Sequence, residues 1–296
     1  MFSYIGGKST IGKWIKKYIP KKDNITTYVE PFSGAFWVYF SMEDISKLDK
    51  VVYNDFNPVN SNLFNCLKTP NEFYEYIKDE KCQIKDIDKS GTPCDPKFRE
   101  TFEKYQESAF SDKYTFNPDE PNFQWGLEYI YVITQVFSGS KPEKSKFIDL
   151  KHKYRSKFDT FRDKVGGIDR GKKYPGYLDS LTNVENMDFE EVIKKYDSPD
   201  TYFYIDPPYW KTENYYSNHD FDREDHERLA NCLKQIKGKW SLSYYYFDLL
   251  EEWLPKDEYV WVSKEFAKSA GAISGKKQNM GEELLIMNYK IEIKEK

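Results

Sequence analysis

Metal and disulfide chemistry have little to work with in this sequence. Four cysteines (Cys66, Cys82, Cys94, Cys232) and three histidines are scattered over 296 residues. They form no CxxC pair and no metal-ligand spacing, which argues against a zinc site or a disulfide scaffold. The cysteines are expected to be reduced and structural. His152, His219 and His226 make no triad pattern, and neither Ser33 nor Ser243 sits in a nucleophile elbow. Nucleophilic and metal catalysis therefore have no support. No apolar run approaches the ~18–20 residues that span a bilayer. The opening stretch MFSYIGGKSTIGKW lacks the apolar core and small-residue cleavage site of a secretory signal. The expectation is a cytoplasmic protein with no membrane partner.

What is present is enough for a folded core. The hydrophobic fraction is 39% and the aromatic fraction 18%, against a mean hydropathy of -0.82. That combination excludes a disordered chain. The length admits one large α/β domain, or a core with a smaller insert.

The net charge of -4 hides an uneven distribution. Residues 141–173 hold 12 Lys and Arg against 5 Asp and Glu, leaving 33 against 44 elsewhere. A basic segment on an acidic body suits a phosphate backbone, while the body keeps the chain soluble. A solvated helix-and-loop surface is the plain alternative for such a run.

Ile11, Trp14, Ile15 and Tyr18 have helical spacing. Thr26 to Val29 reads as a strand running into Glu30-Pro31-Phe32-Ser33-Gly34, and Ala35 to Met42 as a helix. Lys50 to Tyr53 reads as a second strand ending at Asn54-Asp55. Pro58 then opens a helix to about Lys68. Strand–helix alternation of this kind signals a parallel α/β sheet. From about Pro70 to Tyr177 the alternation is lost. Helical patterns appear there at Phe73–Tyr76, Phe98–Tyr105 and Leu127–Phe137, followed by an irregular basic end. Alternation resumes with a helix at Phe189–Tyr196, a strand at Thr201–Ile205, a helix at Arg223–Ile236 and a strand at Trp240–Tyr244. Phe247–Trp253 is a short helix, and Glu258–Val262 with Glu283–Tyr289 make a terminal strand pair. The organisation expected is a core from 1–70 and 175–296 with an inserted, mostly helical domain at 71–174.

Four clusters sit where ligands bind in such sheets, at strand carboxyl ends or in the N-terminal turn. Asp206-Pro207-Pro208-Tyr209 is the most informative. Its two prolines fix the backbone and donate no hydrogen bond. The Asp206 carboxylate and the Pro207 carbonyl are thus both open to a donor such as an exocyclic amine, and Tyr209 offers a flat stacking face. This is what holding a flipped adenine requires; a strand-ending turn is the bland reading. Phe32-Ser33-Gly34 ends the first strand, and Asp55 follows Gly34 by 21 residues. A glycine turn with an acid ~20 residues later is the logic of ribose binding, and a capping Asp55 is the alternative. In Tyr4-Ile5-Gly6-Gly7-Lys8 the glycines are either turn punctuation or a place where Lys8 reaches a ligand carboxylate. The spacing is not that of a Walker A loop. In Asn186-Met187-Asp188-Phe189, Asp188 is either a helix N-cap or an acceptor for an adenine amino group.

Together these pieces resemble the Dam-type DNA adenine N6-methyltransferases of the D12 class. The pieces, in order, are Tyr4-Ile5-Gly6-Gly7-Lys8, Glu30-Pro31-Phe32-Ser33-Gly34, Asn54-Asp55-Phe56-Asn57 and Asp206-Pro207-Pro208-Tyr209. Glu283-Leu284-Leu285-Ile286-Met287-Asn288-Tyr289 is similar to that family's last strand. The resemblance covers about 1–70 and 175–290. The order is that of the α group, in which the insert is the target-recognition domain. It implies a Rossmann-like, S-adenosylmethionine-dependent methyltransferase fold with a mostly parallel sheet. It also implies S-adenosylmethionine as cofactor and double-stranded DNA as substrate, with a cognate restriction endonuclease as a further partner.

By position, the resemblance implies that Tyr4, Lys8, Phe32, Gly34, Asp55, Asp188 and Asp206 line the cofactor and that Asp206, Pro207 and Tyr209 act on the target amine. Lys151, Lys153 and Arg155, in the basic segment, are then expected to grip phosphates. The family's small residues after the first glycine turn are replaced here by Ala35-Phe36-Trp37. Those bulky side chains either narrow the cofactor pocket or point into the core. No match to the family's target-reading hairpin is found in Gln135 to Phe147. Two alternatives stand beside the adenine methyltransferase. One is a non-catalytic nucleic-acid-binding subunit of the same fold, and the other is a methyltransferase for RNA adenine or for cytosine N4.

Overall fold

The computed structural model describes residues 2, 4, 6–20, 25–80, 96–136, 141–147, 157–168, 174–210, 221–267 and 280–290. Seven strands form one sheet: β1 (Thr27–Glu30), β2 (Lys50–Asn54), β3 (Asn183–Glu185), β4 (Thr201–Ile205), β5 (Lys239–Tyr244), β6 (Val260–Ala267) and β7 (Met280–Met287). Their order across the sheet is β3-β2-β1-β4-β5-β7-β6. The first five are parallel, whereas β7 runs antiparallel to both β5 and β6. The chain reverses its direction of winding between β1 and β4. That switch point opens a crevice at the strand carboxyl ends. The mostly parallel sheet and the terminal strand pair follow the sequence pattern, and the Rossmann-like fold is the one the resemblance implies; the antiparallel run of β7 is set by the structure.

Strand alternation divides the core in two. Tyr28, Val51, Tyr53, Tyr202 and Tyr204 point to one face, and Val29, Val52, Phe203, Ile205 and Trp240 to the other. The first face is aromatic yet fully bonded. Tyr202 pairs with Ser241 at 2.6 Å and Tyr204 with Ser243 at 2.8 Å, while the Tyr53 hydroxyl donates to the Gly34 carbonyl at 2.8 Å. A buried hydroxyl without a partner is costly, which explains serines at alternate positions of β5.

The helices begin with the short α1 (Gly12–Ile15) and continue with α2 (Pro58–Leu67), α3 (Pro70–Ile77), α4 (Pro96–Ala109) and α5 (Phe123–Gln135). After them come α6 (Lys157–Val165), α7 (Tyr174–Asp179), α8 (Phe189–Tyr196), α9 (Arg223–Leu233) and α10 (Asp248–Trp253). α2 starts as its sequence requires, with Asn57 as N-cap and Pro58 in the first turn. It is buried on every side although it carries Asn60, Ser61, Asn62 and Asn65. These amides are used. Asn62 exchanges bonds with the Asn122 backbone (3.0 and 2.9 Å), and Asn65 donates to the Asn117 and Pro118 carbonyls. They seat the loop that leads into α5. Residues of α3, α5 and α6 accordingly share one core with β1, β2 and β4.

Three local expectations are corrected. The helix expected over Ala35–Met42 is only a 3-10 turn at Tyr39–Ser41. Phe36 takes a left-handed conformation, φ 57°, which interrupts any α-helix. The basic end of the middle segment is not irregular throughout, since α6 occupies Lys157–Val165 and buries Phe158, Phe161 and Val165. The short strand β3, ahead of Asp188, was not expected at all. Among the described residues no helix is long and apolar enough to cross a membrane. Cys66 and Cys232 are buried free thiols, pushed by that burial above the ordinary thiol range. Cys82 and Cys94 lie outside the described residues.

Candidate active site

The carboxyl ends of β1, β2 and β4 and the turn before α1 converge on one cleft. Its lining includes Tyr4, Lys8, Phe32, Gly34, Asp55, Asp188 and Asp206, all seven residues expected to meet a cofactor. Sequence separations of up to two hundred residues are closed by the parallel sheet, which brings successive strand ends to one edge.

At the first strand end, Gly34 has φ +49°, and a Cβ there would lie 2.9 Å from the Tyr4 ring. Glycine is therefore required by both backbone and space. Asp55 faces this turn. Its carboxylate accepts from the Gly34 N–H (3.0 Å), the Asn57 N–H (2.8 Å) and the Asn60 amide (3.1 Å). Burial pushes the Asp55 carboxyl up to about 6, with those three donors holding it down. Asn60 also donates to the Tyr4 hydroxyl (2.8 Å) and accepts from the Tyr129 hydroxyl of α5. Phe36 turns its ring into the core against Tyr39, Tyr53 and Phe64 and is 1% exposed. Trp37 fills the space over Gly7, where an added Cβ would meet its ring at 2.9 Å.

At the third strand end, Asp188 is the N-cap of α8, accepting from the Glu190 N–H at 2.9 Å. Arg228 of α9 grips the same carboxylate with both terminal nitrogens at 2.9 Å and also binds Asp225 at 2.8 Å. Its guanidinium lies 4.3 Å from the Phe189 ring centroid. Phe189 in turn stacks on Phe32 at 5.4 Å, with Phe221 edge-on to Phe32 at 5.7 Å. This gives the cleft an aromatic wall beside a fixed acid.

At the fourth strand end, the Lys8 ammonium lies 2.6 Å from Asp206 Oδ1 and 3.6 Å from Glu283 Oε1. The Asp206 side chain keeps 18% exposure, toward the cleft. Burial raises its carboxyl above the ordinary range and Lys8 opposes that rise. Tyr209 is buried, stacked on Tyr244 at 5.1 Å and edge-on to Tyr245 at 4.5 Å, with Lys8 4.8 Å from its centroid. Pro207 and Tyr209 lie just behind the cleft lining that Asp206 and Pro208 form. Beneath them the buried His226 ring pairs through Nδ1 with the Tyr244 hydroxyl.

Sequence reasoning missed Arg228, Asn60, Tyr129 and His226. Arg228 is 40 residues from Asp188, and no local pattern links them. Asn60 had a usable signal, namely four small polar residues on a helix whose other positions are apolar. Lys151, Lys153 and Arg155 lie outside the described residues. Among the described residues, no cluster of three or more His, Cys, Asp or Glu is placed to hold a metal ion.

Residues 4–269 match the family of D12 class N6 adenine-specific DNA methyltransferases. The chain is 25% identical over 304 residues to the type II methyltransferase M.MjaIII of Methanocaldococcus jannaschii, covering 97% of each. It is 25% identical to the type II methyltransferase M1.LlaDCHI of Lactococcus lactis subsp. cremoris, covering 80% of this chain and 76% of that one. It is 24% identical to the modification methylase LlaI of Lactococcus lactis subsp. lactis, covering 79% of this chain and 34% of that one. The chain belongs to the D12 class of N6 adenine-specific DNA methyltransferases.

Proposed function

We propose that this D12-class chain transfers a methyl group from S-adenosylmethionine to N6 of an adenine turned out of double-stranded DNA at a specific site, with Asp206 at the centre of the chemistry. The observation that carries this reading is the single cleft. In it an acid suited to ribose hydroxyls (Asp55), an acid beside an aromatic wall (Asp188) and Asp206 with Pro208 of the Asp-Pro-Pro-Tyr turn all meet.

The residues fit such a donor. Gly34 leaves the backbone open where a side chain would collide, and Asp55 and Asn60 form a polar end for a diol. Asp188, held by Arg228, accepts from an adenine amino group, with Phe32 and Phe189 beside it. Lys8 serves the carboxylate end. Phe36 packs its ring into the core, which weakens the motive for a non-catalytic subunit, while Trp37 lines the cleft over Gly7.

Bound, the donor supplies an electrophilic methyl group on a sulfonium, so the acceptor amine needs orientation more than a strong base. Asp206 and the Pro207 carbonyl accept hydrogen bonds from that amine and so aim its lone pair. Tyr209 is packed behind the lining against Tyr244, Tyr245 and Lys8, and it offers its ring to an extruded base only when that packing opens. The inserted segment 71–174 reads the target, and Lys151, Lys153 and Arg155 track phosphates. The names of the relatives support a restriction–modification setting, in which a cognate endonuclease cuts the same site.

Asp206→Ala is the direct test. Incubation with labelled S-adenosylmethionine and mixed DNA and RNA, followed by mapping of modified bases, should show N6-methyladenine in DNA for the wild type. The variant should be slower by about 10²–10³, the scale for losing one aligned hydrogen-bonding group. Wild-type speed in Asp206→Ala would remove this residue from the mechanism, and modified cytosine or RNA would redirect the substrate.

A further inference from the structure

β7 runs antiparallel to β5, so its first residues lie at the edge of the sheet where β4 and β5 end. Along β7, Leu285 and Met287 fill the tyrosine-lined core face. The next position on that face toward the cleft is Glu283, and it is 1% exposed. A carboxylate at such depth costs several kcal/mol unless charge and hydrogen bonds compensate. Glu283 has both kinds of partner. Its Oε1 accepts from the Tyr209 hydroxyl at 2.5 Å and lies 3.6 Å from the Lys8 ammonium. Lys8 lies 2.6 Å from Asp206. One ammonium thus stands between the cleft-facing carboxylate of Asp206 and the buried one of Glu283, and Glu283 also holds the tyrosine of the Asp-Pro-Pro-Tyr turn.

We propose that Glu283 is a positioning residue for methyl transfer. It fixes the Tyr209 ring through its hydroxyl, and it holds the Lys8 ammonium where that group meets the Asp206 carboxylate and keeps it correctly turned. The inference rests on the catalytic roles proposed above for Asp206 and Tyr209. It assigns a task to β7, which otherwise only joins β5 to the edge strand β6. Glu283 acts through Tyr209 and Lys8 and does not itself touch the target base. Removing its charge therefore changes the rate of transfer while leaving DNA affinity, which phosphates dominate, in place.

The test is a double-mutant cycle on Tyr209→Phe and Glu283→Gln, with three readouts: unfolding in denaturant, 2-aminopurine fluorescence at the target position, and single-turnover methylation. Glu283→Gln keeps the shape and should fold. Expected are non-additive unfolding midpoints for the pair, an altered 2-aminopurine signal on DNA binding, and a transfer rate lower by about tenfold or more with DNA affinity within about twofold. In the Tyr209→Phe background the same substitution should cost much less. Additive midpoints would overturn the proposal, as would an unchanged rate in Glu283→Gln or an equal loss in both backgrounds. If the wild type itself transfers no methyl group, the catalytic reading fails instead; the unfolding cycle still decides whether Glu283 and Tyr209 are coupled.

Discussion

Asp55 is the residue whose chemistry is most exposed to experiment. Its carboxyl is pushed up from 3.8 to about 6, because burial disfavours the charged form more than its three donors favour it. The folded state thus binds this proton more tightly than the unfolded chain does. The resulting stability is fully present below about pH 4 and is lost as pH rises through about 6. A shift of this size corresponds to about 3 kcal/mol. The ligand-free protein should therefore lose stability between pH 4 and pH 7, and Asp55→Asn should lose less by an amount of that order. Denaturant unfolding across the range measures the difference. Asp206, Glu283 and Glu30 shift in the same direction and remain in both proteins, so the comparison isolates Asp55. A ligand whose hydroxyls donate to the ionised carboxylate reverses the preference. S-adenosylmethionine should accordingly bind more tightly at pH 7 than at pH 5, and the gain should vanish in Asp55→Asn by calorimetry.

At the scale of elements, β5 shows how the sheet tolerates tyrosine in its interior. Ser243→Ala strands the Tyr204 hydroxyl, at about 1–3 kcal/mol for an unmet buried group. Adding Tyr204→Phe should recover part of that loss, since both partners are then apolar. Unfolding midpoints of the two singles and the double give the answer, and strict additivity would mean that the bond contributes nothing. The same strands were readable in the sequence because their β-prone runs are short and end in turns. β1, β2, β4 and β5 all lie where alternation places them. β3 escaped because three residues with one buried valine carry no periodicity. α6 escaped because the Phe158, Phe161 and Val165 spacing is submerged in charge. The 3-10 turn after Gly34 could not be foreseen, since a phenylalanine in the left-handed region is set by the packing of its ring. At the cleft, Asp55 and Asp206 were legible at strand ends and Asp188 ahead of a helix, whereas Arg228, which fixes Asp188, comes from a distant helix and left no local trace.

For the whole molecule, the proposed function makes the basic 141–173 segment on an acidic body the part that meets DNA phosphates. If Lys151, Lys153 and Arg155 each meet a phosphate, neutralising all three should reduce the slope of log affinity against log salt by about 2–3. A fluorescence anisotropy titration at several salt concentrations measures it, and an unchanged slope would leave these side chains as solvent-facing charge. The bond from Tyr129 to Asn60 bears on ancestry. α5 belongs by sequence to the middle segment, yet its Tyr129 lines the cleft and is tied through Asn60 to Asp55. A recombination event that exchanged residues 71–174 as one cassette would carry away part of the recipient's cleft. On the proposed reading, in which 71–174 reads the target, exchanges that alter target preference without disturbing the cleft are those that spare Tyr129 and residues 141–143.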